Sequence, residues 1–288
     1  MSRRNDGKRE GSGARMLPIG YQLYSCRNEM AKDPEAVFAE LSAMGYDFVE
    51  LAGMHGYAPE ALRAALERHG LFALCAHVQL QELRDERIVR TYREIGCRYI
   101  ALSILMPDFQ PGSPGYSEAL ALLRSAAKAC EAEGLRFLYH NHDLELRPCR
   151  GERALETILK DVPPPSMLLE PDCCWLHYSG VDPAAYMDAL GQPCPIVHLK
   201  DYRCQCARDK NCLEIGDMLA QHGESDDRAF SFVPLGMGCV DIGACVEAAE
   251  RNGASALVVE QDMSFGRTPL EAAKISIDYL RALPERSS

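Results

Sequence analysis

A chain of 288 residues, 47% hydrophobic and 25% charged, has the composition of a globular protein with a large core, and its longest apolar runs fall well short of the ~20 residues that cross a bilayer. Its formal charge of −11 belongs to a body that is more acidic still, because Arg3, Arg4, Lys8, Arg9 and Arg15 outweigh Asp6 and Glu10 at the N-terminus. Such a body repels phosphate backbones and argues against nucleic acid as a partner, as the lack of an apolar span argues against a membrane.

Residues 1–16 are polar and rich in glycine and arginine, with no apolar centre, so they read as a disordered tail and not as a secretory signal. From residue 17 to 288 short β-rich runs alternate with amphipathic helical stretches. Strands are expected at Ile19–Tyr24, Phe48–Leu51, Phe72–His77, Tyr99–Leu102, Phe137–Asn141, Met167–Leu169, Ile196–Leu199 and Ala256–Val259. Most of their starts are 24 to 38 residues apart, the stride of one βα unit, and eight is the number that closes a barrel. The fold class that follows is α/β, a single-domain (β/α)8 TIM barrel.

Helix starts are marked by Asp33-Pro34-Glu35 and Asp182-Pro183, each an N-cap followed by a proline suited to the first turn, and by the capping box Thr268-Pro269-Leu270-Glu271. Val37, Leu41 and Met44 share one helix face, and Gly45 ends that helix. Glycines also precede the strands in RHGLFALC, EIGCRYIA, AEGLRFLY and RNGASALVV, where a left-handed residue turns the chain into the next strand. The stride breaks between the seventh and eighth strands. There, about residues 202–232 form a long loop before the helix expected at Asp241–Asn252, on the barrel face where active sites are built.

The thirteen cysteines are scattered and odd in number, and Cys75, Cys97, Cys130 and Cys245 lie in apolar segments. That usage suits reduced thiols in a cytoplasmic protein. Cys204, Cys206 and Cys212 lack both the spacing and a fourth ligand for a metal centre and read as loop thiols.

Ionisable residues gather where strands end: Glu50 on the second, His77 on the third, the run Tyr139–Glu145 on the fifth, Asp172 on the sixth, His198-Leu199-Lys200-Asp201 on the seventh and Glu260 on the eighth. A barrel brings these ends to one axis. Acids crowded there need compensation, and a bound cation supplies it. Asp172, His198 and Glu260, with Glu145 or a fifth-strand histidine, mix hard oxygen donors with imidazole. The set suits one divalent ion, Mn2+, Mg2+, Co2+ or Zn2+. The plainer alternatives are an unmetallated polar network for these residues, hydrogen-bond closure for Glu50 and His77, and a loop-holding ion pair for Lys200-Asp201.

Four segments in this order, YHNHDLEL, the D-x-x-W of Asp172–Trp175, HLKD and VEQD, resemble the sugar phosphate isomerase/epimerase family of xylose isomerase-like TIM barrels, with similarity from about residue 18 to 283. The resemblance implies metal ligands at Asp172, His198 and Glu260, and at an acid of the fifth strand. There this chain offers His140, with Glu145 further on. It further implies proton abstraction next to a carbonyl by way of a metal-stabilised enediolate, with Glu260 and a fifth-strand residue (Glu145, His140 or His142) sharing the transfer. Lys200 would polarise a carbonyl or bind an acidic substituent. Glu50, His77, His140 and Trp175 would contact the small carbohydrate substrate, with Tyr139 another pocket wall. The expected activity is an isomerase or epimerase of a sugar or keto-sugar. A lyase or dehydratase acting on a keto-glycoside or inosose is the alternative, and a non-catalytic sugar-binding barrel is a third reading. Abasic-site endonucleases share the barrel, but HLKD is not followed by their second histidine pair, and Trp175 stands where one of their ligand histidines would. Barrels of this kind often pair through C-terminal-face loops, so a homo-oligomer is also an expectation. In the Gly236-Met237-Gly238 turn, methionine replaces the glutamate frequent in the family.

Overall fold

The computed structural model describes residues 16–85, 87–149, 151–204 and 230–284. Eight parallel strands form one sheet: β1 Ile19–Gln22, β2 Phe48–Ala52, β3 Ala73–Val78, β4 Tyr99–Leu102, β5 Arg136–His140, β6 Met167–Glu170, β7 Ile196–Leu199 and β8 Ala256–Val259. Each pairs with its neighbour in chain order except β6 and β7, β8 also pairs with β1, and an isolated bridge between Asp172 and His198 joins the open edges of β6 and β7. The expected TIM barrel is therefore the observed one, nearly closed and formed as a single domain. No described helix is long and apolar enough to cross a membrane.

The outer helices are α1 Pro34–Met44, α2 Pro59–Arg68, α3 Arg87–Ile95, α4 Tyr116–Ala132, α5 Ala154–Asp161, α6 Cys173–Tyr178, α7 Pro183–Ala189, α8 Ile242–Arg251 and α9 Pro269–Ala282. Their starts follow the sequence chemistry. The Asp33 carboxylate accepts from the Ala36 N–H, the Asp182 carboxylate from the Ala185 N–H, and Thr268 and Glu271 complete a capping box. α1 ends at Gly45, whose φ of 90° only glycine adopts without strain.

Two apolar layers hold the barrel. The larger lies between strands and helices. The smaller fills the barrel's lower interior with Phe48, Leu74, Cys75, Ala101, Leu138, Leu168, Ile196, Ala256 and Val258, in the manner of a packed barrel core. Gly20 makes room for this plug, since a Cβ there would stand 2.1 Å from the Phe48 ring. Above the plug the inward positions turn polar.

The segment expected as a loop at 202–232 begins and ends in structure. Asp201–Cys204 pairs antiparallel with Phe230–Val233, and Phe230 and Phe232 pack around Trp175. Residues 205–229, with Cys206 and Cys212, lie outside the described residues, as does the N-terminal tail apart from Met16. Cys26, Cys75, Cys97, Cys130, Cys149, Cys173, Cys174, Cys194, Cys239 and Cys245 are free thiols.

Candidate active site

Side chains on a strand alternate between faces, so inward positions recur at every second residue. Climbing past the apolar plug, this rule delivers Glu50 from β2, His77 from β3, and His140 and His142 from β5. It also delivers Glu170 and Asp172 from β6, His198 and Lys200 from β7, and Glu260 and Asp262 from β8. They form two tiers.

The upper tier is organised by Lys200, which is fully buried. Its Nζ lies 3.1 Å from Asp172 Oδ2, 2.8 Å from Glu260 Oε2 and 3.1 Å from Asp262 Oδ2. Burial would lower its pKa, but the three carboxylates hold it well above the ordinary lysine value. The same ammonium acts on Glu260. Burial would raise that carboxyl, yet Lys200 and His198 hold it well below the usual range. Burial raises the carboxyls of Asp172 and Asp262, with Lys200 opposing. Asp172 also caps α6, accepting the Trp175 N–H at 2.9 Å through Oδ1, while Asn141 fixes its backbone N–H at 3.1 Å.

The lower tier is a chain of histidines between acids. His77 Nε2 sits 2.8 Å from Glu170 Oε2 and 3.2 Å from Glu50 Oε2. His198 joins the tiers, with Nε2 at 2.6 Å from Glu50 and Nδ1 at 3.1 Å from Glu260. Gln22 donates to Glu50 at 2.8 Å. Burial and the nearby Glu50 charge push the Glu170 carboxyl up. Burial opposes ionisation of Glu50 as well, but His77 and His198 more than offset it.

His140, Asp172, His198 and Glu260 each offer a ligand atom, all within 4.8 Å of one another. Asp172 Oδ2 and His198 Nε2 are met by ion pairs with Lys200 and Glu50, whereas His140 Nδ1 is buried with no hydrogen-bond partner. Two imidazoles and two carboxylates converging in this way have the donor chemistry that suits a divalent cation. Glu145, the fifth-strand acid expected among the ligands, is not brought to this group. A turn at Leu144–Leu146 folds it away. Its Oε1 accepts from the Tyr139 hydroxyl at 2.9 Å and the Gln110 amide at 3.0 Å, and its Oε2 from the His142 backbone N–H at 2.9 Å.

A cavity of about 660 Å3 opens above the tiers, and His77, His140, His142, Trp175, Glu260 and Asp262 border it. Glu50, Lys200 and Glu145 do not. Trp175 and Phe232 form an aromatic wall, so the ribbon after β7 supplies part of the site. Burial and the Lys200 charge lower His142 to about 3, which keeps its imidazole neutral. The ion pair between Lys200 and Asp201, the plainer alternative to a substrate role for Lys200, does not form. Neighbours on a strand face opposite ways, and Asp201 turns outward to accept the backbone N–H groups of Gly236, Gly238 and Val240. Tyr139 is fully buried and is not among the cavity's walls. Sequence reasoning did not single out Glu170, Asp262 or Gln22. The two-residue alternation with Asp172, Glu260 and Tyr24 was the signal that could have found them.

Among curated proteins nothing matches the chain. Solved structures do. One is a sugar phosphate isomerase/epimerase from Parabacteroides distasonis ATCC 8503, at 17% identity and TM-score 0.75, covering 96% of this chain and 100% of that one. A probable 3-DHS dehydratase, AsbF of Bacillus anthracis, involved in petrobactin synthesis, is 14% identical with TM-score 0.68, covering 93% and 100%. The IOLI protein with a binding zinc atom is 15% identical with TM-score 0.67, covering 92% and 96%. At such identities the likeness is one of fold. The family model described as xylose isomerase-like TIM barrel matches residues 38–283, nearly the whole barrel, and the chain belongs to that family.

Proposed function

We propose that the protein is a divalent-metal-dependent isomerase or epimerase of a sugar or keto-sugar, acting by proton abstraction next to a carbonyl. The observation that carries this reading is the convergence of His140, Asp172, His198 and Glu260 beneath a cavity that His140 and Glu260 border. These four residues would hold the ion, which when bound supplies Lewis-acid polarisation of a carbonyl.

The chain's own groups handle the proton. Lys200 keeps the Glu260 carboxylate ionised at the cavity wall, ready to accept a proton from carbon. Asp262, also on the wall, has its carboxyl shifted in the opposite direction by burial, which is the division expected of a proton acceptor beside a proton carrier. Neutral His142 donates or accepts a hydrogen bond to a substrate oxygen, and Trp175 with Phe232 keeps one side of the cavity dry. Glu260 and Asp262 both follow β8, so the proton leaves and returns on one side of the substrate. That arrangement suits an isomerase, whereas inversion at carbon needs a second group on the opposite face. The absence of Glu145 from the site favours the same conclusion.

One-sided transfer also suits β-elimination from a keto-glycoside or inosose, the second reading. The test is solvent deuterium exchange into a panel of ketoses and keto-inositols, with and without chelation. Chelator-sensitive exchange with an isomerised product supports the first reading, and a dehydrated or cleaved product supports the second. No exchange from metal-supplied protein overturns both.

A further inference from the structure

Arg27 is the only arginine or lysine among the described residues that border the cavity, where Glu82, Glu260 and Asp262 are the acids. It stands in the turn after β1, half-buried, with its guanidinium stacked over the Tyr24 ring at 4.3 Å. Its Nη1 donates to the Tyr24 carbonyl at 3.0 Å and to the Asp262 carbonyl at 2.8 Å, which ties the end of β1 to the end of β8. Glu260 and Asp262 pair with Lys200, and Glu82 accepts the Gln79 backbone N–H, so among the described residues no carboxylate pairs with Arg27.

A guanidinium carries its N–H donors in a planar fork. The two carbonyls occupy the pair on Nη1, and a strut between strand ends needs no more. The Nε and Nη2 donors remain, and the edge they share is one that meets a carboxylate through two parallel hydrogen bonds. Because the carbonyls and the ring already fix the fork, little side-chain freedom is lost when that edge is filled. Charge selects the anion. One arginine balances one negative charge, and Glu260 and Asp262 on the same cavity oppose a second, which favours a carboxylate over a phosphate dianion. Lys200, the residue to which sequence reasoning gave an acidic substituent, is fully buried and does not border the cavity.

We propose that Arg27 determines specificity, and that the substrate is a keto-sugar acid whose carboxylate it binds through Nε and Nη2 at the β1–β8 side of the cavity. This rests on the keto-sugar reading of the site and narrows it. Because the same guanidinium holds the Asp262 carbonyl, the charged end of the substrate is anchored beside the strand end that carries Glu260 and Asp262. A neutral ketose offers a hydroxymethyl group there and leaves the charged edge without its partner.

The test is calorimetric binding of three probes to the full-length, metal-supplied chain. They are 5-keto-D-gluconate, L-sorbose, which has the same carbon skeleton with a hydroxymethyl group in place of the carboxylate, and L-sorbose 6-phosphate. The wild type is expected to bind the keto acid about 10–100-fold more tightly than L-sorbose, and more tightly than the phosphate. Arg27→Gln should erase that preference, and Arg27→Lys should keep only part of it, because an ammonium is a point cation without the fork. A ratio of affinities is read, so a general loosening of the site does not mimic the effect. Equal binding of keto acid and L-sorbose, or binding of neither, overturns the proposal. So does a preference that survives in Arg27→Gln, as it would if the metal took the carboxylate, and tighter binding of the phosphate overturns the choice of anion. Where Arg27→Gln fails to fold, an undiminished preference in Arg27→Lys is the contrary result. Deuterium exchange run in parallel separates the two failures. Exchange into L-sorbose with no preference for the keto acid sinks this inference alone, and an Arg27-dependent preference with no exchange sinks the isomerase reading alone.

Discussion

Glu145 and Glu260 are both buried acids near the ends of barrel strands, and they have opposite fates. Around Glu145 every oxygen is matched by a protein donor: a tyrosine, a glutamine amide and a backbone N–H. Burial pushes its carboxyl up, and nothing in reach is left for a ligand to do. Around Glu260 the partners are an ammonium and an imidazole that are themselves shared with other acids, the carboxyl is held low, and the cavity adjoins it. The difference teaches that burial of an acid does not make a site. Unfilled coordination beside a cavity does.

The largest expected effect falls on the charge that sets the Glu260 side apart. Lys200→Met leaves Asp172, Glu260 and Asp262 without their shared cation. It should destabilise the metal-free protein by about 3–5 kcal/mol in urea unfolding. A loss below 1 kcal/mol would mean that the tier is compensated some other way. Glu260→Gln should lower substrate deuterium exchange by about 10²–10⁴-fold. The comparison breaks if Glu145→Gln has that effect instead. Glu145→Gln is expected to act on stability, costing about 1–3 kcal/mol because one oxygen is exchanged for a donor facing donors, with exchange reduced less than about tenfold. Smallest is Thr268→Ala, a cap remote from both regions. It should cost about 1 kcal/mol and leave exchange unchanged, which calibrates how far plain stability loss alters the rate.

Much of the barrel was legible because parallel strands buried on both faces are short apolar runs, and because glycines and caps punctuate them. The ribbon from Asp201 to Val233 was not. Its place is set by Phe230 stacking on Trp175 and Phe232 meeting the same ring edge-on, contacts far apart in sequence. Asp172, His198 and Glu260 were legible from their positions at strand ends. Glu145 could not be placed, because only the turn at Leu144–Leu146 decides whether its side chain reaches inward or back to His142. Lys200 and Asp201 read as a pair in sequence, yet strand geometry sends them to opposite faces. Glu170 was hidden behind Pro171 beside the more conspicuous Asp172, although both stand on the same face.

The central claim is that the ion serving the cavity is held by His140, Asp172, His198 and Glu260 and not by Glu145. Anomalous diffraction at the metal edge from crystals grown with Zn2+ or Mn2+ tests it directly. The account predicts a peak bounded by those four side chains, with the Glu145 carboxylate still hydrogen-bonded to Tyr139 and Gln110. A peak coordinated by Glu145, or none within the His140, Asp172, His198 and Glu260 group at saturating metal, would contradict it.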